Sequence, residues 1–145
     1  MTARYPLVLN GTTIQELQSG DTISGYAQLA SAQTFTGGQA GSITALTDGA
    51  TITPDFSANN GFSVTLGGNR TLANPTNLVA GQSGVILITQ DGTGSRTLAY
   101  GSYWKFPGGT APTLTTTASK ADVFVFRYNG TVWHETGRNL NLSIT

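Results

Sequence analysis

From Ser42 onward this chain is a succession of short apolar runs, each cut off by a cluster of glycine, asparagine, aspartate or proline. The runs are Ile43–Leu46, Ala50–Pro54, Phe62–Leu66, Arg70–Leu72, Val85–Gln90, Arg96–Tyr100, Pro112–Thr116, Asp122–Tyr128 and Thr131–Thr136, with Leu140–Ile144 as a final edge segment. Between them stand Gly67-Gly68-Asn69, Asp91-Gly92-Thr93-Gly94, Pro107-Gly108-Gly109 and Asn129-Gly130. Such punctuation limits the chain to short strands joined by tight turns, the pattern of a sandwich or barrel.

Composition supports strands over helices, because threonine outnumbers the 19 glycines. Charged residues make up 10% of the chain, against about 25% in an average domain. Seven basic and seven acidic residues cancel. A surface this poor in charge carries no basic footprint for nucleic acid and does little to repel copies of itself. No apolar run reaches the roughly 18 residues of a membrane-spanning helix, and Met1–Leu9 lacks the pattern of a secretion signal. With no cysteine, disulfides and thiolate metal sites are excluded.

Two hairpins can be read in register. A two-residue turn at Asn129-Gly130 sets Tyr128 opposite Thr131, Phe126 opposite Trp133 and Phe124 opposite Glu135. Phe124, Phe126, Tyr128 and Trp133 then share one face, and Val123, Val125 and Val132 lie on the other beside Arg127 and His134. Both faces are largely apolar, so something beyond the chain's own second sheet must cover one of them. A second hairpin turning at Asp91–Gly94 sets Leu87 opposite Leu98 and Val85 opposite Tyr100, with Ile86 and Ile88 facing away.

The first 41 residues read differently. Leu7–Leu9 is a short strand and Asn10-Gly11 a turn. Thr13 and Glu16 have capping-box spacing, which allows one helical turn or a loop anchored by Ile14 and Leu17. Gly25–Gly41 has only Tyr26, Leu29 and Phe35 as large apolar residues, so it is a connector, with a helix over Tyr26–Gln33 as the alternative. Residues 1–41 are therefore an arm and connector, and 42–145 a β-sandwich domain. Apolar residues at such a remove from the main strands need a partner, which makes Leu7, Val8, Leu9, Ile14 and Leu17 the candidate docking residues. An extended strand can add to another protein's sheet edge, and Pro6, lacking a backbone donor, suits an edge position.

No motif carries catalysis. The sole histidine, His134, sits opposite Val125 in the register above, and Glu135 points to the other face and cannot orient it. Asp122 and Glu135 are diagonal neighbours on one face, the nearest approach to a glycosidase pair. Gly81-Gln82-Ser83-Gly84 is one residue short of a nucleophile elbow, and no glycine cluster ends in the lysine of a phosphate loop. No catalytic, cofactor or metal site is assigned. Tyr103, Trp104 and Phe106, before the Pro107 turn, are read first as a cap on one end of the sandwich. The alternative is a surface for stacking on sugars or a partner protein.

The stretch Ala50–Asn141 resembles a module of tail-fibre, head-fibre and capsid-decoration proteins of tailed bacteriophages. The likeness is carried by Gln82-Ser83-Gly84 before an Ile-rich strand, Gln90–Gly94, Thr97–Tyr100, Trp104, Phe106–Gly109, Pro112–Leu114, Asp122-Val123, Tyr128–Thr131 and Trp133. The opening Pro6–Leu17 also looks like the start of phage virion proteins. The resemblance implies a passive, trimerising β-sandwich in a virion assembled in the bacterial cytoplasm. The shortness of the chain favours a capsid decoration or cement protein bound to the major capsid protein. The alternative is a short tail or baseplate fibre or adaptor with a host-glycan-binding surface.

The expected fold is an all-β antiparallel sandwich, the jelly roll among its forms, with an extended N-terminal arm. Deleting residues 1–20 is expected to leave a folded, oligomeric β body that no longer joins the particle. Circular dichroism, sedimentation and co-sedimentation with particles check this; insoluble protein would mark the arm as a core strand instead.

Overall fold

The structure is a computed structural model that describes residues 7–10, 13–16 and 41–144. The chain divides into two units, Met1–Gln39 and Ala40–Thr145. In the first, β1 (Leu7–Asn10) pairs antiparallel with β2 (Thr13–Glu16), with Leu7 opposite Glu16 and Asn10 opposite Thr13. Thr13–Glu16 is thus a strand where capping-box spacing allows a helical turn; β-branched Thr13 and Ile14 favour pairing over the helix. Leu7, Val8 and Leu9 lie on β1 and Ile14 on β2; Leu17, Pro6 and the Tyr26–Gln33 segment lie outside the described residues.

The second unit is all-β and sandwich-like. Its strands are β3 (Thr44–Ala45), β4 (Thr51–Ile52), β5 (Gly61–Leu66), β6 (Arg70–Leu72), β7 (Ser83–Gln90), β8 (Leu98–Tyr100), β9 (Trp104–Lys105), β10 (Lys120–Tyr128) and β11 (Trp133–Ser143). A six-stranded sheet runs β3-β5-β7-β10-β11-β9, and a three-stranded sheet runs β4-β6-β8. The pairing is mixed rather than purely antiparallel. From β3 to β8 successive strands alternate between the sheets, so the neighbours within each sheet, β3-β5-β7 and β4-β6-β8, run parallel. The chain winds as stacked two-sheet coils, and the antiparallel β10–β11 pair extends the larger sheet.

The turn clusters are the corners of these coils, and side chains tie one corner to the next. Asp48 accepts hydrogen bonds from Arg70 Nε at 2.8 Å and Nη2 at 2.7 Å, and from the Gly67 amide at 3.3 Å. Asn69 Oδ1 accepts the Thr97 amide at 3.0 Å. On the opposite side Gly101 lies so close to its neighbour that a Cβ would stand 2.7 Å from the Asn74 amide nitrogen. Glycine there is a packing requirement.

The corner at Asp91–Arg96 corrects the second hairpin. Asp91 Oδ1 accepts the amides of Thr93 and Gly94, and Gly94 and Ser95 have φ of 75° and 58°. The buried Gln90 carboxamide then replaces the ladder: Nε2 donates to the Arg96 carbonyl at 3.0 Å and Oε1 accepts the Arg96 amide at 2.8 Å. Instead of doubling back beside β7, the chain crosses to the other sheet. Leu87 and Leu98 are therefore not partners, nor are Val85 and Tyr100. The faces are also reversed: Ile86 and Ile88 are buried in the core, and Val85 is 41% exposed on the outside. The Pro112–Thr116 segment forms no strand, whereas Trp104–Lys105 does.

The Asn129 turn corrects the first hairpin by two residues. Asn129 Oδ1 accepts the amides of both Thr131 and Val132 at 2.9 Å, with Gly130 at φ 100°. The loop thereby holds four residues, 129–132, and Tyr128 faces Trp133, Arg127 faces His134 and Phe126 faces Glu135. An even shift preserves the faces, so Phe124, Phe126 and Trp133 all lie in the core, as read from the sequence. The core face of the larger sheet carries Phe62, Leu66, Ile86, Phe124, Phe126 and Trp133, all 2% exposed or less.

Trp133→Ala removes the largest fully buried side chain and is expected to cost about 3–5 kcal/mol in denaturant unfolding; a loss under about 1 kcal/mol would contradict this packing. The Asp91 corner adds a pH signature. The Arg96 guanidinium beside Asp91, helped by the Gly94 and Thr93 amides, lowers its carboxyl to about 2. A depressed folded-state pKa contributes stability above the unfolded value, lost as pH falls through the folded one. Asp91→Asn should therefore lower the thermal midpoint at about pH 6, with the gap to wild type closing between about pH 4 and pH 2. A gap independent of pH would show that Asp91 acts as a turn cap alone.

Candidate interaction surface

Strand pairing brings the residues of the outer face into rows. Val85 stands between Gly61 on β5 and Val125 on β10, and Val125 is followed by Gly137 on β11. The next row is Ser63, Leu87, Val123 and Asn139. Whereas the core face is built of rings and long aliphatics, these two rows carry glycine, serine, valine, a single leucine and a single asparagine. The result is a smooth apolar strip, half-buried at Leu87, Val123 and Val125 and open at Val85. At the β3 edge Ile43, 68% exposed, borders a groove of about 480 Å³ whose other walls include Asn59, Val85, Leu87 and Val123. Gly61 permits this edge to close in, since a Cβ there would lie 3.3 Å from the Ser42 carbonyl oxygen.

The sequence locates part of this surface. Val123 and Val125 are on the outer face as read from the hairpin; Val132 instead lies in the turn. Val85 and Leu87 are missed because the second hairpin is misread. The signal that could find them is the glycine at position 84. Gly84 is buried on the core face, where a Cβ would stand 2.3 Å from Phe56. A glycine that must lie inward puts Val85 and Leu87 outward by alternation.

The aromatic trio divides. Trp104 is 4% exposed, packs against Phe126 at 4.8 Å and donates from Nε1 to the Ala73 carbonyl at 2.9 Å. Phe106 stacks edge-on against Tyr100 at 4.7 Å. Both close the core, as the capping reading has it, and Trp104 offers no surface to a partner. Tyr103 alone is open, at 40% exposure.

The acids Asp122 and Glu135 are engaged within the fold. Asp122 is 2% exposed and accepts from the Thr115 amide and hydroxyl, both at 2.7 Å, and from the Asn141 amide at 2.9 Å. It pins the 110–116 segment to the sheet. Glu135 pairs with Arg138 at 2.6 Å and stands opposite Phe126, so it is not the diagonal neighbour of Asp122. Burial, with Asp122 and Glu135 adding, pushes the Tyr100 phenol well above its ordinary range. It stays a neutral hydroxyl. His134 is exposed and faces Arg127 rather than Val125. Among the described residues no cluster of three histidine or acidic side chains forms a metal site.

A family model described as "Putative phage tail fibre C-terminal domain" matches residues 52–133, more than half of the chain. The match runs from β4 through the coils and the β10 strand to the first residue of β11. No curated protein matches the chain. The family supports a phage structural role, and it supports the tail-fibre alternative over capsid decoration. The chain belongs to this family of phage tail fibre C-terminal domains.

Proposed function

We propose that the chain is a non-enzymatic structural module of a phage tail fibre, whose copies associate through the outer face of the larger sheet. The observation that supports this is the composition of that face. A sheet face exposed in the working particle would carry polar residues, whereas the centre of this one, at Val85, Val125, Leu87 and Val123, is apolar. Flat faces of small and β-branched residues pack well on one another at sheet-to-sheet spacing. A second copy is the economical cover for a chain with little net charge. The stoichiometry of three comes from the likeness to trimerising phage modules. The β1–β2 unit, with Leu7, Val8, Leu9 and Ile14, is the proposed attachment to a tail or baseplate protein of the same particle.

Sedimentation equilibrium tests the association. The full chain is expected at a multiple of the monomer mass at micromolar concentration. Leu87→Glu puts a charge on the central row and should yield a folded monomer, its circular dichroism unchanged. A wild-type protein that runs as a monomer, or a Leu87→Glu variant that keeps the full assembly mass, would refute the proposal.

A further inference from the structure

The two ends of the larger sheet are unlike. At one end β3 is a short strand, and the exposed Ile43 just before it borders β5. The outer face of β5 carries Gly61 and Ser63, so the surface dips between Ile43 and the side chains of Val85, Leu87 and Val123. The dip is the groove of about 480 Å³, and no charged residue lines it. A Cβ at Gly61 would lie 3.7 Å from Ile43 Cγ1, so glycine keeps the hollow open beside its wall.

At the other end β11 runs from Trp133 to Ser143, but β9 pairs only with Trp133 and His134. Beyond His134 the far edge of β11 has no strand beside it among the described residues. Natural sheets blunt such edges with charge, proline or brevity. This edge is long, holds no proline and is uncharged from Asn139 onward. It presents Leu140, 42% exposed. The backbone beside Leu140 is held in place. Val123 faces Asn139 and Ala121 faces Leu142, so Leu140 and Asn141 together bulge opposite Asp122. Asn141 has φ of 60°, and its amide donates to the buried Asp122 Oδ1 at 2.9 Å. Bulges re-aim side chains and end pairing; this one sets an aliphatic side chain at an open edge.

Leu140 cannot reach the groove of its own chain. Between β11 and β3 lie β10, β7 and β5, a span of about 19 Å at ordinary strand spacing. An uncharged knob at one edge and an uncharged hollow at the other are complementary only between copies. Resting on the proposed association through the outer face, we infer that Leu140 of each copy seats in the groove of the next, between Ile43 and Val85. The open edge of β11 then meets the open edge of β3. Such a contact joins two different surfaces and is satisfied throughout only when the copies close into a ring. With the stoichiometry proposed above, the ring has three members.

Because the chain has no cysteine, paired thiols test the contact. Ser42→Cys combined with Asn139→Cys leaves Ile43 and Leu140 in place, and both positions are exposed. With a short bis-maleimide this variant is expected to give covalent dimers and trimers on denaturing gels and nothing larger, and each single variant none. Leu140→Asp should weaken assembly about tenfold or more in sedimentation, its circular dichroism unchanged. Dimers from Ser42→Cys alone would show like edges meeting, and a ladder running past the trimer would show an open chain of copies; either overturns the inference. So would a double variant that stays uncross-linked, or a Leu140→Asp variant that assembles normally, while the wild type sediments as a multimer; association through the outer face would then stand without this contact. A monomeric wild type would overturn both.

Discussion

Trp133 lies fully buried among rings that come from distant parts of the chain. Phe56, in the corner after β4, is 4.4 Å away; Tyr128 at the end of β10 is 5.9 Å, Trp104 on β9 is 6.2 Å and Phe126 is 6.4 Å. Gly84 on β7 leaves the gap into which Phe56 fits. The coils, the β10–β11 pair and the β9 edge all meet at this indole. Its Nε1 finds no acceptor among the described residues, which costs about 1–3 kcal/mol. The packing of a buried aromatic, at about 3–5 kcal/mol, outweighs that cost.

Concentrating the rings on one side of the larger sheet has a consequence for the other side. Parallel pairing of β3, β5 and β7 comes from alternation between sheets, so the smaller sheet covers only one face of the larger. The two central rows of the outer face are left with glycine, serine, valine, one leucine and one asparagine, and carry no charge. The fold and the proposed assembly therefore follow from the same arrangement. Asp48, Asp55 and Asp91 are used in corners, Asp122 pins the 110–116 segment and Glu135 pairs with Arg138. Arg127 and Lys105 stand on either side of the exposed His134 in one row of that face.

The sequence made the strand content and the ring face legible because alternation in Phe124–Tyr128 survives any even shift of register. It did not reveal how the chain turns. Asp91-Gly92-Thr93-Gly94 has the composition of a hairpin, yet Gln90 and Asp91 side chains satisfy the backbone groups that a returning strand would have taken. Nothing in a turn motif distinguishes reversal within a sheet from a corner between sheets; that depends on stacked corners such as Asp48–Arg70, whose members are distant in sequence. The Arg127–His134–Lys105 row is hidden for a related reason: a two-residue loop sets His134 against Val125, and Lys105 sits on a strand too short to read.

The central claim is that the outer face of the larger sheet is covered by another copy of the chain. Because the chain has no cysteine, a single Val125→Cys thiol reports on that face, and Thr117→Cys, exposed in a loop, serves as reference. Thiol labelling is measured across a range of protein concentrations. The account predicts that Cys at 125 is increasingly protected as concentration rises while Cys at 117 reacts at a constant rate. Labelling at 125 that is fast and independent of concentration would contradict it.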